Sequence, residues 1–367
     1  MNSAFSRVIS KRSTALLTVF LGLLIAKVGI NKIPYFETII VRLTQSPDGE
    51  YLGRGSYLIS SWLGPALFHV VGIETEGPLF LAYSAISIAS VFLAAGWLRD
   101  SNQSLQTDLL RLSGLAFLPG IFLWVGYDSL LVLLLLLGYL LRRSLLVTLI
   151  LGFLTGLQHA EIGIAATLLA FVYLSSDILR RRRKLGDIWP LWFLLGILVG
   201  RISLGGIFIW LNSPVRSRGS IAIDVLSENL RKWKLECSLA SPINCLPDTA
   251  LPLVISVVWP LVPVMIALGR RQRADIIKLL VPVAIAICLS VPVLDQTRVA
   301  LLSLTFVSLM ALEIESPMDQ QAGGANKLWE LSFIVAWLLV PIPWVWEGTV
   351  HWYGFFDGLR AGTVVKF

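Results

Sequence analysis

Charge is scarce in this chain. Only 14% of its 367 residues are Asp, Glu, Lys or Arg, against roughly a quarter in ordinary soluble domains. That excludes a water-soluble globular protein of the usual kind. It also excludes disorder, which needs low hydrophobicity, because 56% of the residues are apolar and the mean hydropathy is +0.77. Cysteine is scarce as well. Three residues, Cys237, Cys245 and Cys288, make no disulfide scaffold and lack zinc-ligand spacing. There is no phosphate-binding glycine loop, no GxGxxG, no HExxH and no GxSxG. The apolar runs show no period-two alternation, which a membrane barrel requires. Neither a solenoid-length repeat nor the paired broken helices of a secondary transporter is evident.

What the chain has is long apolar runs. A bilayer-spanning helix takes about 20 mostly apolar residues. Runs at 13–30, 78–97, 112–126, 128–141, 144–157, 162–175, 188–211, 251–269, 279–293, 299–313 and 328–346 predict an all-α, polytopic transmembrane bundle of about eleven spans. It forms one integral membrane domain over 1–367. Several runs are short, and pairs such as 112–126 and 128–141 read as tight helical hairpins. Arg7, Lys11 and Arg12 precede the run Ala15–Ala26, but no small-residue cleavage pattern follows it, so the first run reads as an uncleaved span. Segment 57–73, YLISSWLGPALFHVVGI, places apolar residues on one helical stripe and Ser60, Ser61, Gly64, Pro65 and His69 on the other. It reads as an interfacial helix on the outer face.

Cations sort by side. With 57–73 not crossing, the inner segments collect 17 of the 30 Lys and Arg residues but 7 of the 23 acids, including the cluster Arg180–Lys184 and Arg270, Arg271, Arg273 and Lys278. The positive-inside rule then puts the N-terminus in the cytoplasm and the C-terminus outside. The net charge of +7 therefore points to membrane lipid and away from nucleic acid. Two outer loops follow, 31–77 and 212–250. Cys237 and Cys245 in the second permit a disulfide there, two free thiols being the other reading. Cys288, in mid-span, reads as a small packing residue. Short loops point to a bacterial inner membrane.

Ionisable groups cluster at predicted outer turns. Asp48 and Glu50 lie in SPDGEY, Asp128 in VGYDSL, His159 and Glu161 in LQHAEIG, and Asp295 and Arg298 in LDQTRV. Arg201 lies inside the seventh run, where an arginine needs a partner or a polar cavity. Each has a plain reading too: a solvated turn for Asp48 and Glu50, an N-cap for Asp128, a satisfied interfacial histidine, and a helix-start ion pair for Asp295 and Arg298. Lys27, at the end of the first span, reads as snorkelling. Taken together the turns predict an outward cavity with carboxylates fit for general-base work and arginine fit for phosphate.

With these residues the chain resembles the GT-C superfamily of integral-membrane glycosyltransferases, in its polyprenyl-phosphate-sugar-dependent, mannosyltransferase-like form. The resemblance rests on an N-terminal span followed by an acidic outer loop (Asp48-Gly49-Glu50) and the interfacial helix, on the block 118–171, and on Arg298 in LDQTRV. It implies inverting transfer of a sugar from a lipid-linked donor to a glycan or lipid acceptor, with Asp48 or Glu50 as base. Arg298, Arg201 and His159 would bind donor phosphate. Asp128, Glu161 and Asp295 would hold the acceptor or a divalent cation. Two other readings stand beside it. One is a polysaccharide polymerase or ligase using Arg216, Arg218, Arg231, Lys232 and Lys234 of the second loop. The other is a lipid or solute transporter.

Overall fold

A computed structural model describes residues 11–33, 36–48, 61–98, 105–123, 125–179, 189–211, 247–269, 273–290, 296–313, 325–346 and 349–353. The chain is mostly helical. Its helices are α1 (Lys11–Val28), α2 (Arg42–Gln45, entered through a π-helical turn over Glu37–Val41), α3 (Leu63–Val70), α4 (Glu76–Leu98), α5 (Leu105–Ser113), α6 (Leu118–Leu123), α7 (Tyr127–Leu140), α8 (Leu145–Leu179), α9 (Trp189–Trp210), α10 (Pro247–Gly269), α11 (Arg273–Ser290), α12 (Gln296–Ser303), α13 (Thr305–Glu313) and α14 (Ala325–Leu339). Among the described residues three stretches, Glu76–Leu98, Leu145–Ser175 and Trp189–Trp210, have the length and hydropathy of membrane spans, and Thr18–Val28, Tyr127–Leu140, Ala250–Met265 and Ile276–Ser290 are shorter apolar helices. Apolar helices of this length mark a membrane protein.

The second of those stretches is not straight. His159 has extended backbone angles inside α8 (φ −163°, ψ 82°). Thr155 and Gly163 would lie about 12 Å apart along a straight helix. A Cβ on Gly163 would instead meet Thr155 Cγ2 at 2.7 Å. The two arms of α8 therefore fold back on each other at His159, where the sequence places a turn.

The first arm runs parallel to α9, and glycine sets their approach. A Cβ on Gly152 would lie 2.2 Å from the Phe193 carbonyl oxygen, and one on Gly156 2.3 Å from that of Ile197. Reciprocally, Cβ atoms on Gly196 and Gly200 would lie 2.2 Å from the Leu149 and Phe153 carbonyl oxygens. Two Gly-x-x-x-Gly faces thus meet backbone to backbone, the close packing that lipid-embedded helices use in place of a hydrophobic driving force. The other side of α9 is left exposed at Leu195, Leu198, Val199, Ile202, Ile209 and Trp210.

Elsewhere the apolar runs are divided differently from the sequence reading. Run 112–126 is not one helix: α5 ends at Ser113 and α6 begins at Leu118, with every residue from Leu110 to Leu123 buried. Gly114 marks the break, since a Cβ there would strike Val264 at 2.8 Å. Run 299–313 is interrupted at Leu304. The last run, 328–346, does not stay helical. Beyond α14, Ile342–Trp346 (β1) pairs antiparallel with Thr349–Tyr353 (β2), Trp344 opposite His351. Pro341 and Pro343 deny the helix its amide donors, so this last run ends in a two-stranded hairpin, while the described chain as a whole fits an all-α bundle. Cys288 is free and exposed on α11, not packed.

Lys27 is also not where the sequence reading leaves it. It is wholly buried, and its ammonium donates to the carbonyl oxygens of Trp337 and, at 2.8 Å, Val340, while lying 4.9 Å from the Trp337 ring centre. The last carbonyls of a helix have no partner within it. A buried lysine from α1 satisfies those of α14 here.

Candidate functional site

The segment after α1 is tied to the start of α7 by backbone. Asn31 and Ile33 amides donate to the Phe122 and Val125 carbonyl oxygens at 3.0 Å, and the Val125 amide returns a bond to Asn31 at 2.7 Å. Gly126 follows, packed so closely that a Cβ would touch Ile33 and Ile40 at 2.8 and 2.9 Å. It is the N-cap residue of α7, with no side-chain cap. Asp128 therefore does not cap the helix. Its side chain leaves α7 for a different partner.

That partner is Arg298. Nε lies 2.5 Å from Asp128 Oδ2 and a terminal nitrogen 3.3 Å from Oδ1, with the two side chains 3% and 2% exposed. The two groups form a close buried ion pair with one hydrogen bond from the terminal nitrogen. The same terminal nitrogen lies 3.5 Å from His159 Nε2, and the guanidinium stands 5.0 Å from the Tyr127 ring centre. His159 Nδ1 in turn faces Glu161 Oε2 at 3.3 Å, and Glu161 Oε1 accepts from Arg201 at 3.1 Å. Arg201 is brought there by the glycine packing, since its backbone nitrogen would lie 3.1 Å from a Cβ on Gly156. Asp128, Arg298, His159, Glu161 and Arg201, from four separate stretches of chain, thus form one continuous chain of charges. It runs from a sealed interior pair to a Glu161 side chain that is 55% exposed.

Asp48 sits in the turn that follows α2. Its carboxylate accepts from the Ser46 hydroxyl, and the Trp62 indole donates to the Pro47 carbonyl oxygen at 2.9 Å. Trp62 meets Phe208 of α9 edge-on, ring centres 6.4 Å apart. Two residues later the Gly64 amide donates to Gln158 Oε1 at 2.8 Å, and Gln158 Nε2 donates to the Tyr127 carbonyl oxygen at the same distance. The Asp48 turn is therefore held at the same end of the bundle as the charge chain. Glu50, Asp295, Cys237, Cys245 and the five cations of segment 212–250 lie outside the described residues.

Three residues that join this site carried no role in the sequence reading. Gln158, fully buried, ties α3, α7 and the α8 turn together. It stands with His159 and Glu161 between two apolar runs, and that polar cluster is its signal in the sequence. Tyr127 supplies the aromatic face beside Arg298, and a tyrosine at a span edge gives no such hint. Thr297 accepts from the Val345 amide at 2.9 Å and lies 3.1 Å from the Ser256 hydroxyl, so β1 and α10 pin the start of α12 and with it Arg298. Among the described residues, no three His, Cys, Asp or Glu side chains are grouped to hold a metal ion. Comparison with known proteins finds no family model, no curated protein and no solved structure that matches this chain.

Proposed function

We propose that the chain is a membrane glycosyltransferase of about eleven spans that moves a sugar from a polyprenyl-phosphate donor to an acceptor hydroxyl on the outer face. The observation that carries this reading is the union of Asp128, Arg298, His159, Glu161 and Arg201 in one network at the end of the bundle where the Asp48 turn is held. Unconnected structural charges have no reason to converge in that way at one end of an apolar bundle. The exposed apolar tip of α3, at Leu67, Val70 and Val71, supports an interfacial helix there.

In this mechanism Asp48 takes the proton of the acceptor hydroxyl as its oxygen attacks the anomeric carbon. The bond from that carbon to the donor phosphate oxygen breaks, and the phosphate leaves with the electron pair. Arg201 and His159, at the open end of the network, meet the charge that develops on it. Arg298, locked by Asp128, keeps His159 in place. The test is transfer from radiolabelled polyprenyl-phosphate hexoses in proteoliposomes. Asp48→Asn should lower the rate at least about 100-fold, the low end for a lost general base, with normal membrane abundance. Full activity in that variant removes Asp48 from the mechanism.

A further inference from the structure

The network holds two carboxylates, and the structure treats them differently. Asp128 gives both oxygens to one guanidinium and is sealed, 2% exposed. Glu161 divides its oxygens between two side chains on different elements, His159 of the α8 turn and Arg201 of α9, at 3.3 and 3.1 Å, and is 55% exposed. These contacts are longer than the 2.5 Å of the buried pair, and Glu161 is the carboxylate that solvent reaches.

Its position has a consequence. Two acceptor oxygens bridging an imidazole and a guanidinium are what a phosphate monoester would present to the same pair. The two guanidiniums and two carboxylates of the network cancel in charge. An anion arriving beside Glu161 would therefore meet a site already neutralised, and would be repelled by that carboxylate. An anion arriving in its place would take both donors while Glu161 turns outward into the space it already borders. Of the groups that surround His159, Asp128 and Tyr127 on α7 and Arg298 on α12 are held by the buried pair. Glu161 is the one that can yield.

We infer that the Glu161 carboxylate is an internal stand-in for the ligand's phosphate: it bridges His159 and Arg201 in this structure, and a phosphate monoester binds by displacing it. This rests on the proposed reading of the network as a phosphate site and reverses the expected role of Glu161, from a group that helps hold a ligand to one that competes with it.

The test is a calorimetric titration of the full chain in nanodiscs with dodecyl phosphate, with inorganic phosphate and dodecanol as parallel titrants. Glu161→Gln keeps shape and polarity but removes the competing charge, and should bind dodecyl phosphate about tenfold more tightly, a change of about 1.4 kcal/mol. Glu161→Asp withdraws the carboxylate by one methylene and should tighten binding about threefold. It is read alone if the glutamine variant does not elute as a folded, monodisperse species. Arg201→Gln should abolish binding. Equal or weaker binding by the Glu161 variants, with loss in Arg201→Gln, overturns the stand-in role and leaves the phosphate site. Equal binding by wild type and Arg201→Gln overturns the phosphate site itself. Inorganic phosphate matching dodecyl phosphate identifies a free anion as the ligand, and a response to dodecyl phosphate alone identifies a lipid phosphate.

Discussion

Helix α7 carries a charge cluster at each end, and the two clusters are built to opposite plans. At its C-terminal end Glu313 receives Arg142 on one oxygen and the Tyr139 hydroxyl, at 2.5 Å, on the other. Arg142 also donates to the Tyr139 carbonyl oxygen at 2.8 Å and lies 4.1 Å from that ring's centre. Tyr139 is packed edge-on against Trp97 and Trp189. Every charge there is answered by a neighbour within three residues or by one carboxylate, so the cluster is a staple between α7 and α13. At the N-terminal end the charges are shared along a line, Asp128 to Arg298 to His159 to Glu161 to Arg201, and the line ends in a half-exposed carboxylate. Residue types are alike in the two clusters. A closed set stabilises, whereas an open-ended one leaves donors that a ligand can claim.

The buried pair of Asp128 and Arg298 is where a substitution should cost most. Arg298→Leu leaves Asp128 charged and unanswered in the interior, at a cost of about 3–5 kcal/mol, while pairing it with Asp128→Leu should restore most of the loss. Thermal unfolding in detergent checks both, and equal destabilisation by the single and double variants would contradict a sealed pair. A smaller effect is expected at the helix contact that delivers Arg201. Gly200→Val would drive a side chain into the Phe153 carbonyl oxygen, an overpacking cost of about 1–3 kcal/mol. It should also separate Arg201 from Glu161, which a loss of dodecyl phosphate binding would report. Gln158→Ala orphans the Gly64 amide in the first turn of α3, worth about 1–3 kcal/mol, and its melting temperature should fall accordingly. Smallest of all, Glu313→Gln at the opposite end should cost under about 1 kcal/mol, as partly exposed ion pairs do, with ligand binding at the other end unchanged. A binding defect in that variant would mean the two clusters are coupled through α7.

The apolar runs made the helical character legible, and polar residues interrupting them located one turn and one in-helix charge that matter. Gln158-His159-Ala160-Glu161 stands between two apolar stretches, and the chain does reverse there. Arg201 inside a run demanded a partner, and the structure supplies Glu161. Other features were hidden for physical reasons. Lys27 reads as a snorkelling residue because its partners, the terminal carbonyls of α14, lie some 310 residues away. The β-hairpin after α14 was masked by composition: Ile342, Trp344 and Val345 are as apolar as a span, and the prolines beside them were the overlooked sign. The break between α5 and α6 depends on how closely α10 approaches Gly114, which no local pattern encodes.

Local hydropathy and its interruptions decided by themselves that this chain forms apolar helices and where several of them turn, because burial of backbone in a low-dielectric medium demands internal hydrogen bonds and every polar interruption is costly. Which charge answers which was decided only by tertiary structure. The pairing of Asp128 with Arg298 and of Glu161 with Arg201 spans 170 and 40 residues. It exists because two glycine faces let α8 and α9 touch, and because Thr297, gripped by β1 and α10, aims Arg298 inward.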